Sequence, residues 1–271
     1  MKQKLSRRAF LKGCAILAAA VLCGCRELPA AVISSREEAR TITVGCDTYA
    51  PFSYSDADGN PIGIDVEIAT EAFHRMGYEP EFVFINWEKK KELLESGEID
   101  CIWSSYTMDG RETEYRWAGP YMKSSQVVAV NEDSDIYTLS DLAGKTIAVQ
   151  STTKPEDILR SHDSRIPALR KVISVQKRDL IFILLSKGYV DALAAHDTSI
   201  NEFSKETGLK FRILEEPLMT VGLGVAFANS DTRGLDTQLT ETLQEMQREG
   251  ATREILEKYL PDADRYLEGE R

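Results

Sequence analysis

Apolar and polar positions follow two rhythms along this chain, one of period two and one of helical spacing. Residues 41–46 (TITVGC) form a β-branched run that reads as a buried strand, and Asp58-Gly59-Asn60-Pro61 beyond it reads as a turn. Ile64, Ile68, Ala72, Phe73 and Met76 then recur at helical spacing, and Gly77 ends the element. A second apolar stretch at 82–85 leads to a charged helix over 88–95, stopped by Ser96-Gly97, and then to a central strand over 100–104. This β-α-β succession predicts a parallel sheet whose ligands sit at the carboxyl ends of the strands.

The second half repeats the alternation. Residues 126–130 are apolar, 139–142 form a short helix before a Gly144 turn, and 146–150 form a strand. Pro155 stands where a first helical residue is expected. A helix at 180–185 ends at Lys187-Gly188, a buried strand covers 191–195, and a helix covers 198–207. Strands at 210–214 and 221–229 precede amphipathic helices at 235–246 and 252–260.

Ahead of these elements, a basic segment precedes an apolar run too short for a confident membrane span, so residues 1–24 read as a signal peptide, with an uncleaved amphipathic anchor as the alternative. Ser6-Arg7-Arg8-Ala9-Phe10-Leu11-Lys12 fits the twin-arginine export pattern, and Leu22-Cys23-Gly24-Cys25 fits a lipoprotein cleavage box with Cys25 as the acylated residue. Residues 25–40 read as a lipidated tether. The chain has 33 Lys+Arg and 44 Asp+Glu; loss of the five basic residues of the signal leaves 28 against 44, a formal −16, which argues against a nucleic-acid partner.

Beyond the lipidated residue only Cys46 and Cys101 remain. If their strands are parallel neighbours, the sulfurs are offset by several residues along the strand axis, beyond the reach of a disulfide, and both are expected as buried free thiols. The chain shows no CxxC, HExxH or clustered histidines, so no metal and no cofactor is expected.

The candidate chemistry gathers where the strands end. In residues 99–112 (IDCIWSSYTMDGRE) an apolar strand runs into a hydroxyl-rich turn with one arginine, and a guanidinium matches a carboxylate in two bonds while neighbouring hydroxyls complete the seat. Asp47 and Tyr49 follow the first strand, and Trp87 follows the second; the aromatics there fit either a pocket wall or a cap on the core. Ser151-Thr152-Thr153-Lys154 is a second hydroxyl-rich turn, able to receive an anion or simply to cap the helix that follows. Asp197 fits the N-cap of the helix at 198–207 as well as a binding role, and His196 reads as structural.

The 99–112 stretch, the aromatic Trp117-to-Met122 segment, the 139–150 segment, DALAAHDTSI at 191–200 and VGLGVAFAN at 221–229 together resemble extracytoplasmic solute-binding proteins of the polar amino-acid ABC transporter class, over 41–260. Thr107 and Arg111 are four residues apart where the family's usual spacing is five. The resemblance implies an α/β chain of the two-lobed periplasmic-binding-protein type II fold, each lobe a mostly parallel sheet flanked by helices, with two hinge crossings. Lobe 1 is expected over 41–122 and 223–262 and lobe 2 over 126–219. It also implies the site. Arg111 and Thr107 with Ser105, Thr153 and Lys154 would hold an α-carboxylate, Asp197 would accept the α-ammonium, Tyr49 and Trp87 would cover the aliphatic part, and Asp47 and Glu88 would meet the side chain.

The implied partners are a small amino acid, an ABC permease, and the bilayer through the Cys25 anchor, with the protein a monomer outside the cytoplasm. The alternatives are an extracytoplasmic dehydratase-like enzyme of the same fold, against which there is no GxSxG, phosphate loop or nucleophile–base pair, and a solute sensor without a transport role.

Overall fold

The computed structural model describes residues 40–161 and 163–267. The signal, the twin-arginine pattern, Cys25 and most of the tether lie outside the described residues.

The first strand, β1 (Arg40–Cys46), is β-branched and buried towards its carboxyl end. A short hairpin, β2 (Tyr54–Ser55) and β3 (Pro61–Ile62), follows and uses the Asp58-to-Pro61 turn. Helix α1 (Ile64–Arg75) starts at Gly63, whose φ of 124° and close approach to the Phe52 carbonyl leave no room for a Cβ. Glycine there lets the Ile64 and Asp65 N–H groups donate to the carbonyls of Pro51 and Phe52, which sets Asp65 beneath the sheet. Strand β4 (Tyr78–Phe84) begins four residues before the apolar stretch at 82–85, because Tyr78 and Pro80 also face inward on a half-buried edge. The charged helix divides into a 3₁₀ turn (Trp87–Lys89) and α2 (Lys90–Ser96). The central strand β5 (Cys101–Thr107) is buried along its whole length and runs three residues past its expected end, so that Ser105 and Thr107 belong to the strand.

Strand β6 (Arg116–Asn131) is 16 residues long and joins the Trp117 segment to the 126–130 run. Then come β7 (Thr146–Gln150), α3 (Lys154–Arg160), β8 (Lys171–Val175), α4 (Asp179–Ser186), β9 (Ala192–His196), α5 (Asp197–Thr207), β10 (Phe211–Ile213), β11 (Met219–Phe227), α6 (Leu235–Glu249), α7 (Ala251–Glu257) and a 3₁₀ turn (Ala263–Tyr266). Strand order is β4-β1-β5-β11-β6-β9-β7-β8, with β10 also on β6. Within each half, β1 pairs parallel with β4 and β5, and β7 with β8 and β9.

Two lobes arise because the apolar positions collect in separate cores. In lobe 1, Ile42, Val44, Trp103 and Phe227 pack under Phe73 of α1 and Leu239 and Leu243 of α6, while Trp87, Ile102 and Tyr106 fill the opposite face. In lobe 2 the pleat of β6 sends Val128 and Val130 to one core and Val127 and Ala129 to the other. The crossing strands are themselves paired. Met219 through Leu223 of β11 lie antiparallel to Gln126 through Met122 of β6, and the same two strands continue as the Val225–Ala118 to Phe227–Arg116 ladder of lobe 1.

Cys46 and Cys101 are both buried and free. Cys101 lies opposite Val44, so it is two residues out of step with Cys46, too far along the strand for a disulfide. Among the described residues no helix is long and apolar enough to cross a membrane, and no group of three or more His, Cys, Asp or Glu is placed to hold a metal ion.

Candidate functional site

The carboxyl end of β5, with Trp87 and Arg111, forms one wall of a narrow cavity, and the ends of β7 and β9 form the other; Asp47 and Tyr49, in the turn after β1, are not among the lining residues. In lobe 1 the Asp47 N–H donates to the Ser104 hydroxyl at 3.0 Å, and Ser53 bridges Ser104 and the Asp47 carbonyl, which locks the turn after β1. The backbone of Ser105 is bent into the left-handed region, with φ 44°, and held there by Asp65, which accepts from its N–H at 2.6 Å. The other oxygen of Asp65 accepts from the Tyr121 hydroxyl at 2.7 Å. Burial raises the Asp65 carboxyl to about 7, even though both hydrogen bonds favour its charged form.

Arg111 is nearly buried. Its guanidinium lies 5.1 Å from the centre of the Tyr106 ring, donates to the Thr107 carbonyl at 3.4 Å, and reaches Asp157 of lobe 2 at 3.3 Å. Trp87 packs edge-on against Tyr106. Thr107, Ser105, Arg111 and Trp87 therefore share one surface of the cavity.

In lobe 2, Gln150 ends β7 and the turn 151–153 follows, with Thr152 at φ 56°. Thr153 occupies the N-cap position of α3, yet its hydroxyl donates back to the Gln150 carbonyl, and the Thr152 N–H is taken by Glu156. Thr153 and Lys154 line the cavity, with the Lys154 ammonium so close to Gly110 of lobe 1 that a Cβ there would collide with it.

The walls touch. Asp47 accepts from Gln150 at 2.8 Å and from Arg178 at 3.2 Å, Glu88 accepts from Ser151 at 2.8 Å and from Gln176, and Lys90 donates to the Thr152 hydroxyl at 2.9 Å. The Arg178 guanidinium lies over the Tyr49 ring, 3.2 Å from its centre. The cavity is about 20 Å³, room for about one water molecule.

Asp197 stands apart from this group. It is the first residue of α5, with His196 at the N-cap position, and its carboxylate faces Arg265 at 3.5 Å. The pleat of β9 explains the placement: neighbouring residues point to opposite faces, so the side chain that enters the cavity is His196, not Asp197. His196 is held by protein partners, as a structural histidine is, and also lines the cavity. Its ring bonds Ser124 and Gln126, each at 2.7 Å, and its backbone N–H donates to the Tyr49 hydroxyl. Burial, and secondarily the charge of Arg178, lower its pKa to about 3, so the ring is neutral.

Gln126, Gln150, Arg178 and His196 line the cavity but do not stand out in the sequence. The strand-end rule that selects Thr107 also selects Gln150 and His196. Arg178 has no such signal, because it lies in Gln176-Lys177-Arg178-Asp179, which has the composition of a solvated charge run.

Two lobes joined by two crossing strands, with polar walls facing one another between them, define the type II periplasmic-binding-protein fold. The chain belongs to the bacterial extracellular solute-binding proteins, family 3, whose pattern matches residues 42–262. PatH of Vibrio harveyi, provisionally named an amino-acid ABC transporter-binding protein, is 30% identical over 236 residues, covering 86% of this chain and 92% of PatH. The histidine-binding periplasmic protein of Salmonella typhimurium is 28% identical over 235 residues, covering 83% of this chain and 89% of that protein. A solved structure, the substrate binding protein of an ABC uptake transporter from Streptococcus pneumoniae with bound histidine, aligns with a TM-score of 0.76 at 26% identity, over 82% of this chain and 92% of the other.

Proposed function

We propose that this protein binds a small amino acid between its lobes outside the cytoplasm and delivers it to an ABC importer, acting as a receptor and not as an enzyme. The observation that carries the reading is Arg111, a nearly buried guanidinium in a hydroxyl-lined cavity to which both lobes contribute. Arg111 with Thr107, Ser105, Thr153 and Lys154 is proposed to hold the carboxylate, and Trp87 and Tyr49 to cover the chain of the solute, with Asp47 beside them. The small cavity requires the lobes to part before a solute enters. The proposed hinge lies at 122–126 and 219–223, between lobe 1 over 41–122 and 223–262 and lobe 2 over 126–219.

The protein is further proposed to be a monomer, exported through the twin-arginine pattern and anchored by lipid on Cys25. The family assignment supports an amino-acid solute and a permease partner; the anchor rests on the two adjoining N-terminal motifs.

Isothermal titration of the purified protein against the common amino acids tests the central claim. Binding of at least one is expected, and Arg111→Ala should weaken it by roughly 2 to 5 kcal/mol, because a charge-assisted bidentate contact in a poorly hydrated site is lost. Undiminished binding by Arg111→Ala overturns the site, and turnover of a candidate acid in place of binding overturns the receptor reading.

A further inference from the structure

The cavity is lined by three cationic side chains, Arg111, Lys154 and Arg178, and by no Asp or Glu. His196 adds no charge. The carboxylates nearby are engaged from outside the lining: Asp157 holds one N–H of Arg111, Asp47 one N–H of Arg178, Glu88 is bonded to Ser151 and Gln176, and Glu112 accepts from the Gly110 N–H beside Lys154. The three cations thus face the cavity without a carboxylate in its lining, while their anionic partners stand behind them. A second carboxylate on the solute would make a charge-assisted contact with a lining guanidinium that a neutral side chain does not make.

The two arginines occupy different places. Arg111 comes from the lobe 1 turn after β5, and Arg178 reaches in from lobe 2 across the Tyr49 ring. Arg178 is only 8% exposed, and its Nε has no hydrogen-bond partner in the protein. An unmade donor bond on a buried guanidinium is costly unless an acceptor completes it. Gln126 Oε1 and Gln150 Oε1 are likewise unpartnered; for Gln150 the assignment is firm, since its amide nitrogen faces two acceptors, Asp47 and the Gln176 carbonyl. The lining therefore offers two separated guanidinium seats for anionic groups, and beside them carbonyl oxygens suited to an N–H donor.

We infer that the solute is a small diacid, with one carboxylate on Arg111 and a second on Arg178. This rests on the receptor reading above and narrows it to the acidic amino acids, whose ammonium the two glutamine carbonyls would accept.

Titration of the purified protein with L-glutamate, L-aspartate, L-glutamine, L-histidine and the amine-free glutarate tests it. Glutamate or aspartate should bind about tenfold or more tighter than glutamine or histidine, a difference of one charge-assisted contact. In Arg178→Gln the ratio of acidic to neutral affinity should collapse towards one, and Arg178→Lys, which keeps the charge but not the fork, should restore part of it. Tighter binding of a neutral or basic amino acid, or an unchanged ratio in Arg178→Gln, overturns the diacid inference and leaves the receptor reading standing. Binding of glutarate alone upholds the two anion seats and overturns the amino-acid reading, and binding of none of the five compounds overturns the inference.

Discussion

Asp65 shows how a single buried carboxyl ties the site to pH. Its side chain fixes the strained Ser105 backbone in the cavity wall, and burial holds its carboxyl at about 7. Between the ordinary value of 3.8 and about 7 the folded protein retains a proton that the unfolded chain has released, so this group's contribution to stability falls as pH rises through that window and is level above it. Asparagine can still accept from the Ser105 N–H and can donate to the Tyr121 hydroxyl. Thermal melts at about pH 4.5 and about pH 7.5 should therefore show a smaller pH-dependent loss of melting temperature in Asp65→Asn than in the parent; identical losses would remove Asp65 from the account. Residues of this kind are hard to read from a sequence, because their effect depends on what lies above them across the fold. Arg111 is legible from its own turn. Arg178 is not, since what distinguishes it from its charged neighbours is the Tyr49 ring contributed by the other lobe.

At the level of elements, strand pairing makes a sharper test than strand existence. The offset of Cys101 from Cys46 predicts two free thiols, each with its pKa raised foremost by burial, that of Cys46 to about 12. Alkylation of the native protein should be slow at both positions, while denaturation without any reductant should expose both to quantitative labelling, read by mass spectrometry. A pair released only by a reductant would contradict the parallel register. The elements legible in the sequence are those with a strong period and clear ends, such as β1, α1 and α6, whose Leu235, Leu239, Leu243 and Met246 form one buried stripe. β8 escapes because KVISV is short and only half-buried, and the length of β6 escapes because Gly119-Pro120 inside it reads as a break. β9 ends one residue later than expected, at His196, and it is His196 that lines the cavity while Asp197 opens α5.

For the whole molecule, the 3₁₀ turn at Ala263–Tyr266 adds a link between the lobes apart from those around the cavity. Tyr266 is packed in the core of lobe 1, while its neighbour Arg265 reaches Asp197 of lobe 2. If this pair restrains hinge opening, Asp197→Asn and Arg265→Ala should shift solute affinity in the same direction, and the double variant should show clear non-additivity. A large loss in Asp197→Asn that Arg265→Ala neither shares nor modifies would instead return Asp197 to the solute. The order in which the chain completes its sheet has a temporal consequence. β5, the most buried strand of lobe 1, is neighboured by β11, which is made more than a hundred residues later. During synthesis at ordinary elongation rates, β5 waits on the order of ten seconds with an open, apolar edge before its partner emerges. In lobe 2 the waits are shorter, with β6 meeting β9 roughly sixty residues on, so the interval in which the nascent chain is most exposed to wrong strand pairing belongs to lobe 1.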